Sequence, residues 1–557
     1  MIQRLAFLWP EIAMFATTCI VMVLGLSPRR EVRKACAWIC GLGLIAAGVL
    51  ATATTPAAET ITARDGQLLL PGMVSFIKTL TSAVGLMLLM LLAGSVDREE
   101  EASIALGQTR FDPLRSNRAE FYSFFMFSLT GLMLCASADD LIWLFLALEL
   151  TSLPTYIMVV IAKGSGSRGQ SQEAGVKYFF LGALGAAVFL FGFALLYGGT
   201  GTTNLNRIHD VFMTAGISPI ALGGLMMALL GICFKIAAVP MHFYTPDVYQ
   251  GAASQVSAFL AFVPKTAGFV SILLLCAAAG WVWAPGSGVG APPSELGASL
   301  PEPVRLMLWV ISALTMTVGN VLAIWQTSVK RLLAYSSIAH SGYMLVGVIS
   351  GPGNGTFTGS GVSAVLFYLL CYGVMNIGTF AVLACLERVN KDGEMQEIDD
   401  IADLRGLCQT RPILGWTMAI CSLSLLGFPP LLGFLGKLPL FTSAISAGEM
   451  VLVIVLGVNS AIAAFYYLRL FAAVAIEKPD PNAKPLSPVP FASRPLAGLL
   501  SAAGALLLVL SVGSFFMDKA AKAARPRGRS VVPALAPESE SKAPVRAVQA
   551  AVPSGLR

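Results

Sequence analysis

Long apolar runs alternate with short polar connectors along almost the whole chain. A helix needs about 20 such residues to cross a hydrocarbon layer of about 30 Å. Runs of this kind predict fourteen membrane spans, at about 8–27, 35–54, 72–95, 120–137, 140–162, 175–198, 219–239, 252–280, 304–327, 330–350, 361–386, 412–443, 451–474 and 495–516. The expected fold is an all-α polytopic membrane protein.

Two runs are interrupted. Within 231–269, two apolar stretches carry Lys235 and Lys265. Between them lies a break holding Pro240, His242, Tyr244, Pro246, Asp247, Tyr249 and Gln250. Each proline removes a backbone donor and clashes with the preceding turn, so a helix must open here. The second interruption reads LGFPPLLGFLGKLPLF, with Pro429, Pro430, Lys437 and Pro439. Opened backbone inside a membrane is tolerated only where it lines a cavity or is buried in protein. Two broken segments, each with one lysine and five spans apart, predict two five-helix repeats of inverted topology. The expected organisation is a three-helix segment at 1–119, repeats at 120–280 and 304–474, a last span with its loop at 475–516, and a disordered tail at 517–557 rich in Ala, Pro, Ser and charge.

Composition strengthens this picture. Of 557 residues, 56% are hydrophobic and 12% charged, with mean hydropathy +0.75, which no soluble globular domain shows. The net charge of +6 sits in loops and forms no basic stripe, so a nucleic-acid partner is not expected and the lipid bilayer is. Loops after odd-numbered spans hold the basic residues: Arg29, Arg30, Arg33 and Lys34, then Arg98, Arg110, Arg115 and Arg118, and later Lys330, Arg331, Arg388, Arg405 and Arg411. By the positive-inside rule these loops face the cytoplasm and the N-terminus lies outside. The ten cysteines are scattered without a C-x-x-C pair. No metal-ligand spacing, P-loop, Ser-His-Asp or Cys-His arrangement emerges, so any redox cofactor belongs to another chain.

The ionisable residues inside the spans carry the functional signal, because a charge in the bilayer costs several kcal/mol unless it has a partner or water. Glu149 sits mid-span, with Ser152 and Tyr156 following on one helical face. Lys235 lies deep in its own span and is the natural partner of Glu149. Lys265 follows a proline inside its span, and Lys437 lies in the second broken segment. Buried lysine loses proton affinity and regains it beside a carboxylate, so a partner moving by a few ångströms can load or unload a proton. His340, four residues after Ser336, suits a relay, since neutral imidazole donates through one nitrogen and accepts through the other; a structural role is the competing reading. Tyr368, Tyr372, Asn376 and Thr379 form a stripe that either lines a hydrated path or joins helices. His242 and Asp247 either gate the first break or cap its helix halves. Lys78, near the start of its span, is expected to reach the interface along its alkyl stem.

LFLALELTSLPTYIMV (144–159), FKIAAVPMHFYTPDVYQGAASQVSAFLAFVPKTAGF (234–269), KRLLAYSSIAHSGYMLVG (330–347) and LGFPPLLGFLGKLPLF (426–441) resemble the antiporter-like membrane subunits of proton-pumping NADH:quinone oxidoreductase, respiratory complex I. Among these the N subunits are the nearest match. The resemblance implies that Glu149 and Lys235 form the ion pair of a proton channel. It further implies Lys265 as central relay, Lys437 as the exit lysine and His340 on the hydrated central axis; His242 is counted with them as a candidate on the proton path. It implies NADH, FMN, iron–sulfur clusters and quinone in partner subunits and none in this chain. The partners would include the neighbouring antiporter-like M subunit and the small K and J subunits, in a bacterial inner membrane. A subunit of a cation/proton antiporter, or of a related membrane-bound hydrogenase, is the alternative. One departure stands out: the family usually has proline soon after VYQGA, where this chain has Ala253, so the start of that span is expected to be less sharply defined.

Overall fold

The structure is a computed structural model, and it describes residues 7–53, 68–113, 116–162, 168–281, 300–353, 356–389, 395–479, 481, 485–489, 491–507 and 513–524. The connection at 282–299 and the tail from 525 lie outside them.

The helices are α1 (Trp9–Gly25), α2 (Arg30–Ala53), α3 (Pro71–Leu92), α4 (Arg98–Ala105), α5 (Arg118–Ala136), α6 (Leu141–Ile161), α7 (Arg168–Thr200), α8 (Leu205–Ala215), α9 (Pro219–Ile232) and α10 (Thr245–Gly251). There follow α11 (Ser254–Ala278), α12 (Glu302–Ile324), α13 (Val329–Ser350), α14 (Gly361–Ala384), α15 (Leu407–Thr410), α16 (Pro412–Leu426), α17 (Leu432–Ser446), α18 (Met450–Phe471), α19 (Ser493–Leu507) and α20 (Gly513–Ala523). Ten are long and apolar enough to cross a membrane; α1, α9, α16 and α17 are apolar but shorter. Among the described residues one strand pair, β1 (Glu387–Val389) with β2 (Met395–Glu397), lies between α14 and the segment before α15.

A helix that is apolar all round is either buried in protein or faces lipid, and burial separates the two here. The most apolar windows of α11 and α14 are wholly buried, and that of α13 is 94% buried, so these three form the axis of the bundle. At the rim, α2, α7 and α18 are one-third buried and present residues such as Trp38, Phe180 and Val458 outward, as a lipid-facing surface requires.

The two interruptions read from the sequence are present, and other expectations change. The span at 219–239 is helical only to Ile232, and the chain then runs through turns to Thr245. The run at 412–443 is two helices, α16 and α17, parted at 427–431. In the second gap Pro429 and Pro430 remove backbone donors, whereas in the first the chain leaves the helix eight residues before Pro240. Residues 517–523, expected in the tail, belong to α20, whose Ala520 and Ala523 are buried; the backbone of Lys522 and Ala523 lies against Gly72 of α3. Lys78 does not reach an interface. It is 1% exposed, pairs with Glu11 Oε1 at 2.8 Å and donates to the Phe7 carbonyl at 2.9 Å. A carboxylate 67 residues away in sequence made burial cheaper than snorkelling.

Candidate functional site

The first break opens next to Lys235. Its freed backbone groups are met partly by turn bonds, as from Lys235, Ala237 and Ala238 N–H to the carbonyls of Ile232, Phe234 and Cys233, and partly by side chains, as a buried opening demands. The Phe234 carbonyl accepts from Tyr244 Oη at 2.7 Å, the Ile236 carbonyl from Ser341 Oγ at 2.6 Å, and Val239 N–H donates to Thr315 Oγ1 at 3.0 Å. The break is thereby tied to α12 and α13. Gly268 on α11 lets the two approach: a Cβ there would lie 2.6 Å from Ile236 Cγ2 and 3.1 Å from Lys235 Cβ.

Lys235 Nζ lies 3.1 Å from Glu149 Oε1 and donates to Ser152 Oγ at 2.7 Å. Its side chain is 2% exposed and that of Glu149 17%. The expected pair is therefore formed, with the serine one helical turn past the glutamate completing it. Tyr156, the next polar residue on that face, packs its ring edge-on to Tyr178 at 4.5 Å and takes no part in the pair.

Lys265 is 2% exposed and is held by α13, through the Ser337 carbonyl and Ser341 Oγ, the latter at 2.9 Å. Ser341 thus accepts from Lys265 while donating to the carbonyl of Ile236, the neighbour of Lys235. Tyr372 Oη donates to Ser337 Oγ at 2.7 Å, and its ring lies 5.7 Å from Lys265 Nζ.

His340 is buried and bonded at both nitrogens, Nδ1 with Tyr368 Oη at 2.7 Å and Nε2 with Tyr467 Oη at 3.1 Å. Tyr467 Oη also bonds Ser336 Oγ. The His340 ring lies 5.2 Å from that of Tyr372 and 5.5 Å from that of Tyr343. Of the predicted stripe, Tyr368 and Tyr372 therefore belong to the polar axis. Thr379 bonds only within its own helix, to the Asn376 carbonyl.

Lys437 reaches back across the second break to donate to the Leu426 carbonyl at 2.8 Å, with the Tyr343 ring 4.9 Å from its ammonium. Leu426 is the last residue of α16, so its carbonyl lacks an intrahelical partner and lies at the negative end of that helix. A cation is well placed there.

His242 and Asp247 lie apart from this axis. His242 is in the turns before α10, beside the exposed Phe243, and its Nδ1 has no hydrogen-bond partner among the described residues. Asp247 is a surface residue paired with Lys177 at 3.0 Å and Arg331 at 2.7 Å. Neither of the two caps α10, whose N-cap is Tyr244 without a side-chain hydrogen bond.

The sequence reading missed Tyr467, which closes the far side of His340. It also missed Asn320 and Asn459, which bond each other at 3.3 Å and both bond Tyr343 beneath Lys437. An available signal was the pair Tyr466 and Tyr467 inside an otherwise apolar helix. Among the described residues no cluster of three or more His, Cys, Asp or Glu could hold a metal.

The family profile described as NADH:quinone oxidoreductase/Mrp antiporter, TM, matches residues 138–285 and 298–463. NADH-quinone oxidoreductase subunit N of Trichlorobacter lovleyi is 35% identical, over 84% of this chain and 86% of its own length. The subunit N of Salinibacter ruber is 38% identical over 74% of this chain and 77% of its own. Among solved structures, a chain of respiratory complex I from Thermus thermophilus with bound aureothin matches with TM-score 0.69 and 30% identity, covering 92% of this chain and 99% of that one.

Proposed function

The chain belongs to the NADH:quinone oxidoreductase/Mrp antiporter family, in the branch of the N subunits, and from that premise we propose a route by which it moves protons across the membrane. Glu149 holds Lys235 protonated at rest. A movement or a charge change in neighbouring subunits separates the pair, and Lys235 then holds its proton less firmly. The proton passes to Lys265, which shares Ser341 with the backbone beside Lys235. From there it travels by water, Tyr372, His340, Tyr368 and Tyr467 to Lys437, which releases it on the far side. About 1.4 kcal/mol of coupling between neighbouring sites changes proton affinity tenfold, so small displacements suffice.

The observation that carries this reading is the Ser341 hydroxyl, which bonds Lys265 Nζ at 2.9 Å and the Ile236 carbonyl at 2.6 Å. It connects Lys265 to the opened backbone next to the Glu149–Lys235 pair. NADH oxidation and quinone reduction, with FMN and iron–sulfur clusters, take place in partner subunits, and this chain does no redox chemistry. Its neighbours are the M, K and J subunits of the complex. It sits in a bacterial inner membrane with its N-terminus on the periplasmic side, and its two broken-helix halves, 120–280 and 304–474, are inverted repeats. His242 lines the cytoplasmic approach to Lys235. The identity to N subunits along most of the chain favours this reading over a cation/proton antiporter or a hydrogenase subunit.

The test is proton uptake per NADH oxidised by vesicles holding the assembled complex. Glu149→Ala, Lys235→Ala and Lys265→Ala should each lower that ratio severely. Wild-type stoichiometry in all three would overturn the route.

A further inference from the structure

Glu397, on the hairpin between α14 and α15, lies three helical turns from the nearest relay group and is not part of the route above. Its carboxylate nevertheless makes four contacts at one end of the bundle. It accepts from Ser254 N–H at 3.2 and 3.1 Å and from Ser254 Oγ at 2.9 Å, and it pairs with Lys330 Nζ. Lys330, itself 2% exposed, also donates to the Ala252 carbonyl at 3.1 Å.

Ser254 is the first residue of α11, and α11 has no side-chain cap of its own because its N-cap is Ala253. A carboxylate is the favoured ligand for the unpaired N–H groups and positive end of a helix start. Here that ligand arrives from a distant loop. Ala253 adopts φ −64° and ψ 145°, the conformation a proline would impose, so the start of α11 is well defined without one. Asp399, two residues on, fastens α13 in the same way: it accepts from Ser328 Oγ at 2.6 Å and Lys330 N–H at 2.9 Å. Backbone bonds from Val329 N–H to the Asp399 carbonyl at 2.6 Å and from Ile401 N–H to the Thr327 carbonyl at 3.0 Å complete the attachment.

The spacing is what gives this clamp a consequence. Lys265 stands eleven residues after Ser254, and Ser341 eleven after Lys330 (265 − 254 and 341 − 330). Eleven residues of helix rise about 16 Å. Glu397 therefore holds α11 and α13 at matched height, one carboxylate on both, and the same distance along each helix Lys265 meets Ser341 at 2.9 Å. Lys330 to the Ala252 carbonyl and Arg331 to Asp247 and Gln250 hold the start of α13 to the segment leading into α11, but Glu397 is the carboxylate that engages the first residue of α11 itself.

We propose that Glu397 is a positioning residue for proton transfer: by capping α11 and pairing with Lys330 it sets the register in which Lys265 reaches Ser341. The inference rests on the proton route proposed above. In vesicles holding the assembled complex, Glu397→Ala should lower the ratio of proton uptake to NADH oxidation at least about tenfold, since a misplacement of about 1 Å is costly to any positioned reaction. Glu397→Gln, which can still accept from Ser254 but cannot pair with Lys330 as an anion, should fall between Ala and wild type. In a Ser341→Ala background Glu397→Ala should add little, because both act through one contact; purely structural damage would add in full. If Glu397→Ala fails to assemble, the Gln variant decides. A wild-type ratio in the assembled Glu397 variants, with Lys265→Ala crippled, overturns the positioning role and leaves the route standing. A wild-type ratio in Lys265→Ala as well overturns the route itself.

Discussion

The ammonium of Lys437 binds the carbonyl of Leu426 at 2.8 Å, across the break that separates their two helices. The contact depends on a turn that only Gly427 fits well: its φ is +89°, and a Cβ would stand 3.1 Å from Lys437 Cδ. A left-handed conformation costs an L-residue about 1–2 kcal/mol. Gly427→Ala should therefore lower the thermal stability of the complex and reduce proton uptake per NADH. Wild-type values for both would show that the break tolerates a side chain and that Lys437 is held by something else.

Ser341→Ala removes the hydroxyl shared by Lys265 and the Ile236 carbonyl. Leaving a buried polar group unsatisfied costs about 1–3 kcal/mol, more for a charged one. The expected result is a several-fold fall in pumping while NADH oxidation by the assembled complex continues more slowly. Proton transport equal to wild type in this variant would mean that Lys265 receives its proton by another way.

The buried pair of Glu11 and Lys78, with Ser137 Oγ donating to Glu11 Oε1 at 3.0 Å, joins α1, α3 and the end of α5 outside the relay. Removing one partner of such a pair typically costs about 3–5 kcal/mol, whereas replacing both by apolar groups is often neutral. Lys78→Ala should impair assembly, and Glu11→Leu combined with Lys78→Met should restore much of it with normal proton stoichiometry. Assembly yield on native gels and vesicle acidification report the two effects separately. A loss of pumping in the well-assembled double variant would place this pair on the proton path.

Bonded to Arg33 at the start of α2, Glu101 fastens α4 to the bundle. Burial tends to raise its pKa, but the hydrogen bond from Arg33 at 2.7 Å and the charges of Arg118, Arg33 and Arg30 outweigh this and hold it below the usual 4.5. A carboxyl with a depressed folded-state pKa contributes its full stability above the unfolded value and loses it as pH falls through the folded one. Protection of residues 98–105 in hydrogen exchange should thus be constant at neutral pH and drop below about pH 4.5. Glu101→Gln should weaken protection at neutral pH and remove that acid step. An unchanged acid step in the variant would assign it to a different carboxylate.

How far this site could be read from the sequence differs from residue to residue. Lys235, Lys265, Lys437 and Glu149 were legible because a charge in an apolar run is expensive enough that its mere presence is information. Pro240 and Pro430 marked the breaks for a similar reason, since they deny the helix its donors. Tyr467 was not legible, because a tyrosine in a membrane helix can equally be packing. Glu397 looked like one charge among many in a mixed loop.

The sequence alone thus determined the class of fold, the two interruptions and which ionisable groups lie within the spans, all consequences of one local quantity, the cost of placing polar groups in hydrocarbon. Only the tertiary structure decided who meets whom: Lys78 with Glu11, Ser341 with Lys265 and Ile236, Glu397 with Ser254 and Lys330. Those pairings depend on the height and rotation of one helix against another. Apolar packing permits many such arrangements, and no single span records which one the others will choose.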